Sequence, residues 1–422
     1  MPPAMGTTAS VSMSRYQWLL VALLSANFGV VFFDRNVFSY LTSFIQPDLH
    51  LSNFQIGNIA SAFSFSWAIA GLGVGSLVDR FGRRKLMLVW ATVAFSMASV
   101  LSGFASGFAW LLAARLLMGI AEGGIMPITQ ALIAAEVPHE RRGLAQGITQ
   151  NFGANLLANT LGPVIIVWMA IRFGWRNAFF LAALPGILMA LLMGALVREP
   201  APRAPALAPE RAPGAVAERA RLGAALADRS MLLCVAISTL LVAYLMVLFT
   251  FTPLYLIQVR GFDQRHMSWI MSSFGVASMA VAFLVPGSSD RFGRKPVILV
   301  ASLLGLVLPL GLLFTAGARA APLIACIAIG AALSGVFPLA MATIPSEIVG
   351  PAKTATALSL TMGVSEILGG VLAPSAAGRV ADLKGLAMTL WILVGIVVAI
   401  IVLAAMLRET APAVLARAKT LR

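Results

Sequence analysis

The stretch Gly75-Ser76-Leu77-Val78-Asp79-Arg80-Phe81-Gly82-Arg83-Arg84-Lys85 is answered 211 residues further on by Asp290-Arg291-Phe292-Gly293-Arg294-Lys295. Each copy follows an apolar run and opens a short basic loop. The glycine permits a tight turn, and the aspartate can pair with a basic neighbour or cap a helix. One such turn needs no special explanation. A duplicate half a chain away indicates a protein built from two related halves. The second copy departs at Pro286, where the first copy has Gly75; Gly287 follows it.

Working outward from these loops, the chain resolves into apolar runs of about 20 residues, the length that crosses a bilayer as a helix. They fall near 17–40, 54–78, 86–104, 108–134, 145–170 and 176–197, then near 231–256, 267–289, 296–316, 320–345, 354–378 and 386–407. The expected fold is therefore an all-α membrane protein with twelve transmembrane helices in two pseudo-symmetric six-helix bundles, 17–197 and 230–407. Residues 1–16 form an N-terminal tail and 408–422 a C-terminal tail. Residues 198–229, with five prolines from Pro200 to Pro213, form a linker that opposes a continuous helix.

Composition agrees with this reading. The 422 residues are 59% hydrophobic and only 11% charged, with a mean hydropathy of +0.92. Soluble domains carry about 25% charged residues. The net charge of +14 does not indicate nucleic-acid binding, because the basic residues lie between apolar runs. With the N-terminus inside, inner segments hold 21 of the 30 basic residues. That asymmetry predicts cytoplasmic termini and a cytoplasmic linker in an inner membrane. Residues 1–16 are polar and lead straight into a full span, with no cleavable signal evident. Cys234 and Cys326 lie inside apolar runs, and His50, His139 and His266 are isolated. No disulfide framework or metal site is expected, no cofactor is implied, and a monomer is expected.

The paired loops resemble the signature of the major facilitator superfamily, and the resemblance covers all twelve spans. It makes Asp79, Arg80, Gly82 and Arg83, with Asp290, Arg291, Gly293 and Arg294, the expected conformational-gate loops. A narrower resemblance is carried by Phe33-Asp34-Arg35-Asn36 and by Arg115-Leu116-Leu117-Met118-Gly119-Ile120-Ala121-Glu122-Gly123-Gly124-Ile125-Met126-Pro127. These are similar to the anion:cation symporter family, which includes bacterial sugar-acid transporters and animal vesicular glutamate and sialic acid carriers. In that family the first-span arginine engages the substrate carboxylate, the fourth-span arginine and glutamate belong to a central polar network, and acidic residues carry protons. The resemblance places those roles on Arg35, Arg115, Glu122 and Asp34.

Physical chemistry points to the same residues. A charge at mid-bilayer costs at least roughly 2.5–3.5 kcal/mol, so it faces a cavity or a partner. Asp34, Arg35, Arg115, Glu122 and Glu366 all fall inside apolar runs. At about 1.5 Å per residue, Arg35 and Arg115 reach similar heights in the outer half, and Glu122 lies near the midplane on Arg115's helix face. Buried salt bridges holding the first and fourth spans together are the structural alternative, although such pairs are weak sources of stability. Glu366 lies outside the family pattern. A second proton site, a cation ligand and a lock to another helix are all open to it.

Further cavity candidates are Asn151, Asn155 and Asn159, spaced four apart in the fifth span, with Gln150 beside them; interhelical contact is the alternative. Trp67 stands where sugar-acid members present a tyrosine. Tyr244 and Tyr255 are aromatic candidates in the seventh span. No arginine lies in the last six expected spans, whereas vesicular glutamate carriers have another basic residue in the seventh; a monovalent anion is the simpler cargo. Gly153, Gly162 and Pro163 match part of a drug:proton antiporter pattern, but Val164, Ile165 and Ile166 follow in place of its paired glycines. The expected function is proton-coupled uptake of a small organic carboxylate (a sugar acid, aromatic acid or monocarboxylate) by alternating access. The rivals are efflux of a drug or metabolite and a membrane sensor that does not transport. No nucleophile–base pair suggests an enzyme.

Overall fold

The computed structural model describes residues 13–200, 228–315, 317, 319–349, 354–412 and 414. Among these the regular elements are all helical. The N-terminal half comprises α1 (Arg15–Asp48), α2 (Asn53–Phe81), α3 (Arg84–Gly103), α4 (Phe108–Glu136), α5 (Arg142–Phe173) and α6 (Trp175–Leu196). The C-terminal half comprises α7 (Arg229–Gln258), α8 (Gln264–Phe292), α9 (Arg294–Phe314), α10 (Ala320–Val349), α11 (354–384) and α12 (Ala387–Met406). By length and composition, ten of these helices are able to cross a membrane: α1, α3 to α10, and α12. Most of the expected linker lies outside the described residues.

Helices run past their expected ends. The run 17–40 becomes a helix reaching Asp48, because Gln46, although polar, donates to Asn53 at 3.2 Å and accepts from Gln258 at 2.7 Å. The eleventh helix likewise continues to Lys384, which puts Arg379 on the helix rather than in a loop.

The offset that relates the two aspartates also relates Gly82 to Gly293, both at positive φ (63° and 106°), and Pro163 to Pro374. It extends to helix winding. Just before Pro163, α5 has π-helical segments at Ile148–Phe152 and Ala154–Leu161; just before Pro374, α11 has one at Glu366–Leu372. π segments are rare and often mark functional sites.

The halves meet along three pairs, α1 with α7, α2 with α11, and α5 with α8. α2 and α11 bond directly to each other across this interface. Ser61 and Ser375 lie 2.8 Å apart, and Asp382 accepts from the backbone N–H groups of Asn53 and Phe54, both at 2.9 Å, so one half caps a helix of the other. All these contacts lie toward the end of the bundle distal to the termini. Gln264 accepts from Ser43 there at 2.9 Å, and Ser272 donates to the Thr160 carbonyl. The apolar core follows the same division. Phe38, Leu41, Ile45 and Ile56 share one continuous core with the C-terminal half, whereas Leu20, Leu24, Leu88 and Leu132, nearer the termini, form a separate core. The distal end is closed, and the two cores part toward the terminal end.

Candidate functional site

Glu122 sits beside a break in α4, where one helical segment ends at Gly123 and the next begins at Ile125. Gly119 and Gly123 press against α2 so closely that a Cβ at either would approach within 2.9 Å of Trp67 backbone atoms. Small residues four apart allow this approach in membrane helices. They bring Glu122 alongside α2 and under Arg35 of α1.

Arg35 donates from Nε (3.0 Å) and Nη2 (2.9 Å) to one carboxylate oxygen, Oε2 of Glu122. The other oxygen, Oε1, is buried without a partner. The Arg35 side chain is 13% exposed and that of Glu122 is 0%. Three rings surround the guanidinium: Phe32 at 4.5 Å, Phe63 at 4.6 Å and Trp67 at 5.5 Å to their centroids. Aromatic faces favour a cation and exclude water.

Arg115 lies at the expected height beside Arg35 but is buried more deeply. It is 3% exposed, donates from Nη2 to the Arg35 backbone carbonyl at 2.8 Å, and lies against Phe38 and Phe63. It supports the turn that carries Arg35 and is shut away from open space. Asp34 is fully buried on the α3 side, where Ser99 donates to it at 2.5 Å; its second oxygen has no partner. The structure thus brings Asp34, Arg35, Arg115 and Glu122 into one cluster held by α1, α3 and α4.

On α5 the polar stripe is real in part. Asn159 donates to Asn155 and accepts from Asn36, both at 3.2 Å. Asn36 was missed in the sequence reading; its position next to Asp34 and Arg35 was the available signal. Gln150 is half-buried, and the Asn151 side chain lies outside the described residues. Tyr244 is 1% exposed and its hydroxyl is buried without a partner, in the core shared by the two halves. Tyr255 donates to the Leu312 carbonyl at 3.1 Å within the same half.

In the second gate loop, Arg294 bridges Asp290 (2.5 Å) and Glu347 (2.9 Å). The Glu409 carboxylate accepts from the backbone N–H groups of Arg294 and Lys295. Arg291 stays exposed beside Phe292. In the first loop Arg83 is exposed, while the Asp79 and Arg80 side chains lie outside the described residues. A surface concavity of about 320 Å³ lies elsewhere, between the distal ends of α11 and α12 around Leu383 and Trp391. It has no charged cluster.

The molecule is thus two related halves of apolar helices, one of them holding a buried ionic cluster. The sequence profile of the Major Facilitator Superfamily matches residues 23–374 and 266–421, and the chain belongs to that superfamily. It is therefore a multi-pass membrane transporter of small molecules and not an enzyme. The chain is 32% identical over 282 residues to the hexuronate transporter of Bacillus subtilis (strain 168), covering 64% of this chain and 65% of that protein. It is 28% identical over 330 residues to the multidrug resistance protein MdtL of Salmonella heidelberg (strain SL476), covering 78% and 80%. Among solved structures, an inward-facing, unoccupied bacterial homolog of the human lysosomal transporter Spinster superposes with a TM-score of 0.74 at 20% identity, covering 93% of this chain and 96% of that one. A D-xylose-proton symporter gives 0.74 at 20% identity, covering 93% and 99%.

Proposed function

We propose that this transporter takes up a small organic carboxylate together with protons, by alternating access between its halves. The observation that carries the reading is the Arg35–Glu122 pair: a nearly enclosed guanidinium, ringed by aromatics, held by a carboxylate with no exposure of its own. Arginine presents a planar fork suited to a carboxylate. An incoming substrate carboxylate competes with Glu122 for that fork. Once Arg35 turns to the substrate, Glu122 is a buried charge without its cation, which is costly. A proton taken up by Glu122 removes the cost, so substrate and proton enter together. Asp34, held by Ser99 in the same cluster, is a second place for a proton. The hexuronate transporter among the relatives supports a carboxylate cargo, and the xylose-proton symporter among the structural neighbours supports proton coupling.

In this reading both termini face the cytoplasm of an inner membrane, which the basic-residue asymmetry supports, and the closed distal end faces outward. The gate loops at Asp79 and Asp290 then lie on the cytoplasmic side.

The test is uptake of labelled carboxylate into proteoliposomes with an inside-alkaline gradient. Glu122→Gln should abolish accumulation against a concentration gradient while keeping exchange of labelled for unlabelled substrate. Accumulation at the wild-type level in that variant would remove Glu122 from the coupling step. The likeness to a multidrug resistance protein over 78% of the chain favours efflux as the second reading. Loss of labelled carboxylate from vesicles under the same gradient would select it.

A further inference from the structure

Facing Arg35 from the other half is a carboxylate that the mechanism above does not use. Glu366 opens the π segment of α11, and its Oε1 is buried without a partner. Ser64 of α2 lies beside it and donates weakly to the Met246 sulfur at 3.9 Å. Gly370 lets the two groups share this spot: a Cβ there would sit 2.9 Å from Glu366 Oε1 and 3.0 Å from Ser64 Oγ, so any larger residue would crowd them apart. The Arg35 nitrogens described above bond to Glu122, not to Glu366.

The repeat offset sharpens the contrast between the walls. It relates Arg35 to Met246 and Asn155 to Glu366. One wall therefore presents a cation on its first helix and an amide on its fifth; the opposite wall presents a thioether and an anion. The cluster with Glu366 holds two guanidiniums, Arg35 and Arg115, against three carboxylates, Asp34, Glu122 and Glu366. With Glu122 protonated on binding, an anionic cargo leaves that excess of one in place, and Glu366 remains the carboxylate without a partner that the cargo's far end must suit. A metal ion is poorly served here, because hard cations take about six oxygen ligands, and among the described residues only Ser64 and Glu366 oxygens are identified at this spot.

Resting on the carboxylate reading of Arg35, we infer that Glu366, assisted by Ser64, accepts a hydrogen bond from an O–H or N–H donor at the end of the substrate remote from its carboxylate. The cargo is then a donor-bearing acid, such as a hydroxy acid or an amino acid, in preference to a plain aliphatic acid. Sites built to bond a polar substituent reject the analogue that lacks it, because their own polar groups are left unpaired.

Three six-carbon acids test this by ligand-induced thermal shift of the purified protein: hexanoate, gluconate and 6-aminohexanoate. The expected result is that gluconate or 6-aminohexanoate binds at least about tenfold tighter than hexanoate; which of the two does so tells hydroxyl from ammonium. Glu366→Gln should cut that ratio at least about tenfold, with hexanoate gaining affinity as the unpaired charge is removed. If this variant fails to assemble, Glu366→Asp, which shortens the reach by one methylene, is expected to reduce the same ratio. Equal binding of all three acids by the wild type, or an undiminished ratio in the Glu366 variants, overturns the proposal. Arg35→Gln separates the two readings: binding of all three acids unaffected by this change defeats the Arg35 reading and leaves the Glu366 ratio to be judged by itself. No shift with any of the three acids defeats both.

Discussion

At the scale of the residue, the decisive feature is that Arg35 spends two donors on a single oxygen of Glu122. Lysine carries the same charge but not the fork. Arg35→Lys should therefore weaken carboxylate binding by about tenfold or more, measured as a loss of ligand-induced thermal stabilisation; wild-type stabilisation would show that charge alone suffices. Ser99→Ala tests the neighbouring acid. It leaves buried Asp34 without the hydroxyl that now donates to it, and should lower stability by about 1–3 kcal/mol, read from the melting temperature in detergent. An unchanged melting temperature would mean that this bond does not hold Asp34. The charges themselves were legible in the sequence because they interrupt apolar runs. Their division of labour was not. Arg35 and Arg115 sit at similar heights, and height does not tell which way a side chain faces around its helix; burial separates them. The burial of Tyr244 was not legible for the same reason: a tyrosine in an apolar run is as compatible with the core as with a cavity.

At the scale of the element, two helices depart from regular winding at related places. α5 and α11 each carry π segments before the matched prolines Pro163 and Pro374. Nothing in the residue periodicity announces a π segment, so the four-residue spacing of Asn155 and Asn159 was readable while the winding that carries it was not. The seal between α2 and α11 is likewise a tertiary matter. A Cβ at Gly57 would collide with the Pro374 backbone, and one at Gly378 with the Asn53 backbone. Gly57→Leu should pry the distal seal apart. A cysteine replacing buried Ser61, in a protein lacking Cys234 and Cys326, should then react several-fold faster with a membrane-impermeant maleimide added from the distal side. Equal reactivity with and without the leucine would show that the seal does not depend on this contact. In the second repeat loop, Arg294→Ala takes one donor from half-buried Glu347, which keeps Thr410, and one from Ser289, while exposed Asp290 stays hydrated. A loss of about 1 kcal/mol is expected, read from thermal unfolding.

At the scale of the whole molecule, the twofold plan was plain from the repeated aspartate loops, because a fixed offset between matching motifs implies matching halves. The state of the molecule was not, since either closed end uses the same residues in different pairings. Asp382 capping the start of α2 and the core shared by Ile45, Ile56 and the C-terminal half identify the closed end. Disrupting that cap with Asp382→Asn should speed the same maleimide reaction at Ser61→Cys. No change would place the latch elsewhere along the interface.

The Arg35–Glu122 pair joins α1 to α4, both within one half, while the gating contacts run between halves. In the proposed mechanism, exchange of the ionic partner is thus carried inside one half, which rocks as a unit. Speed and stoichiometry should then be separable: a variant that loosens the seal alters how often the transporter turns over, yet each turnover carries the same ratio of protons to cargo.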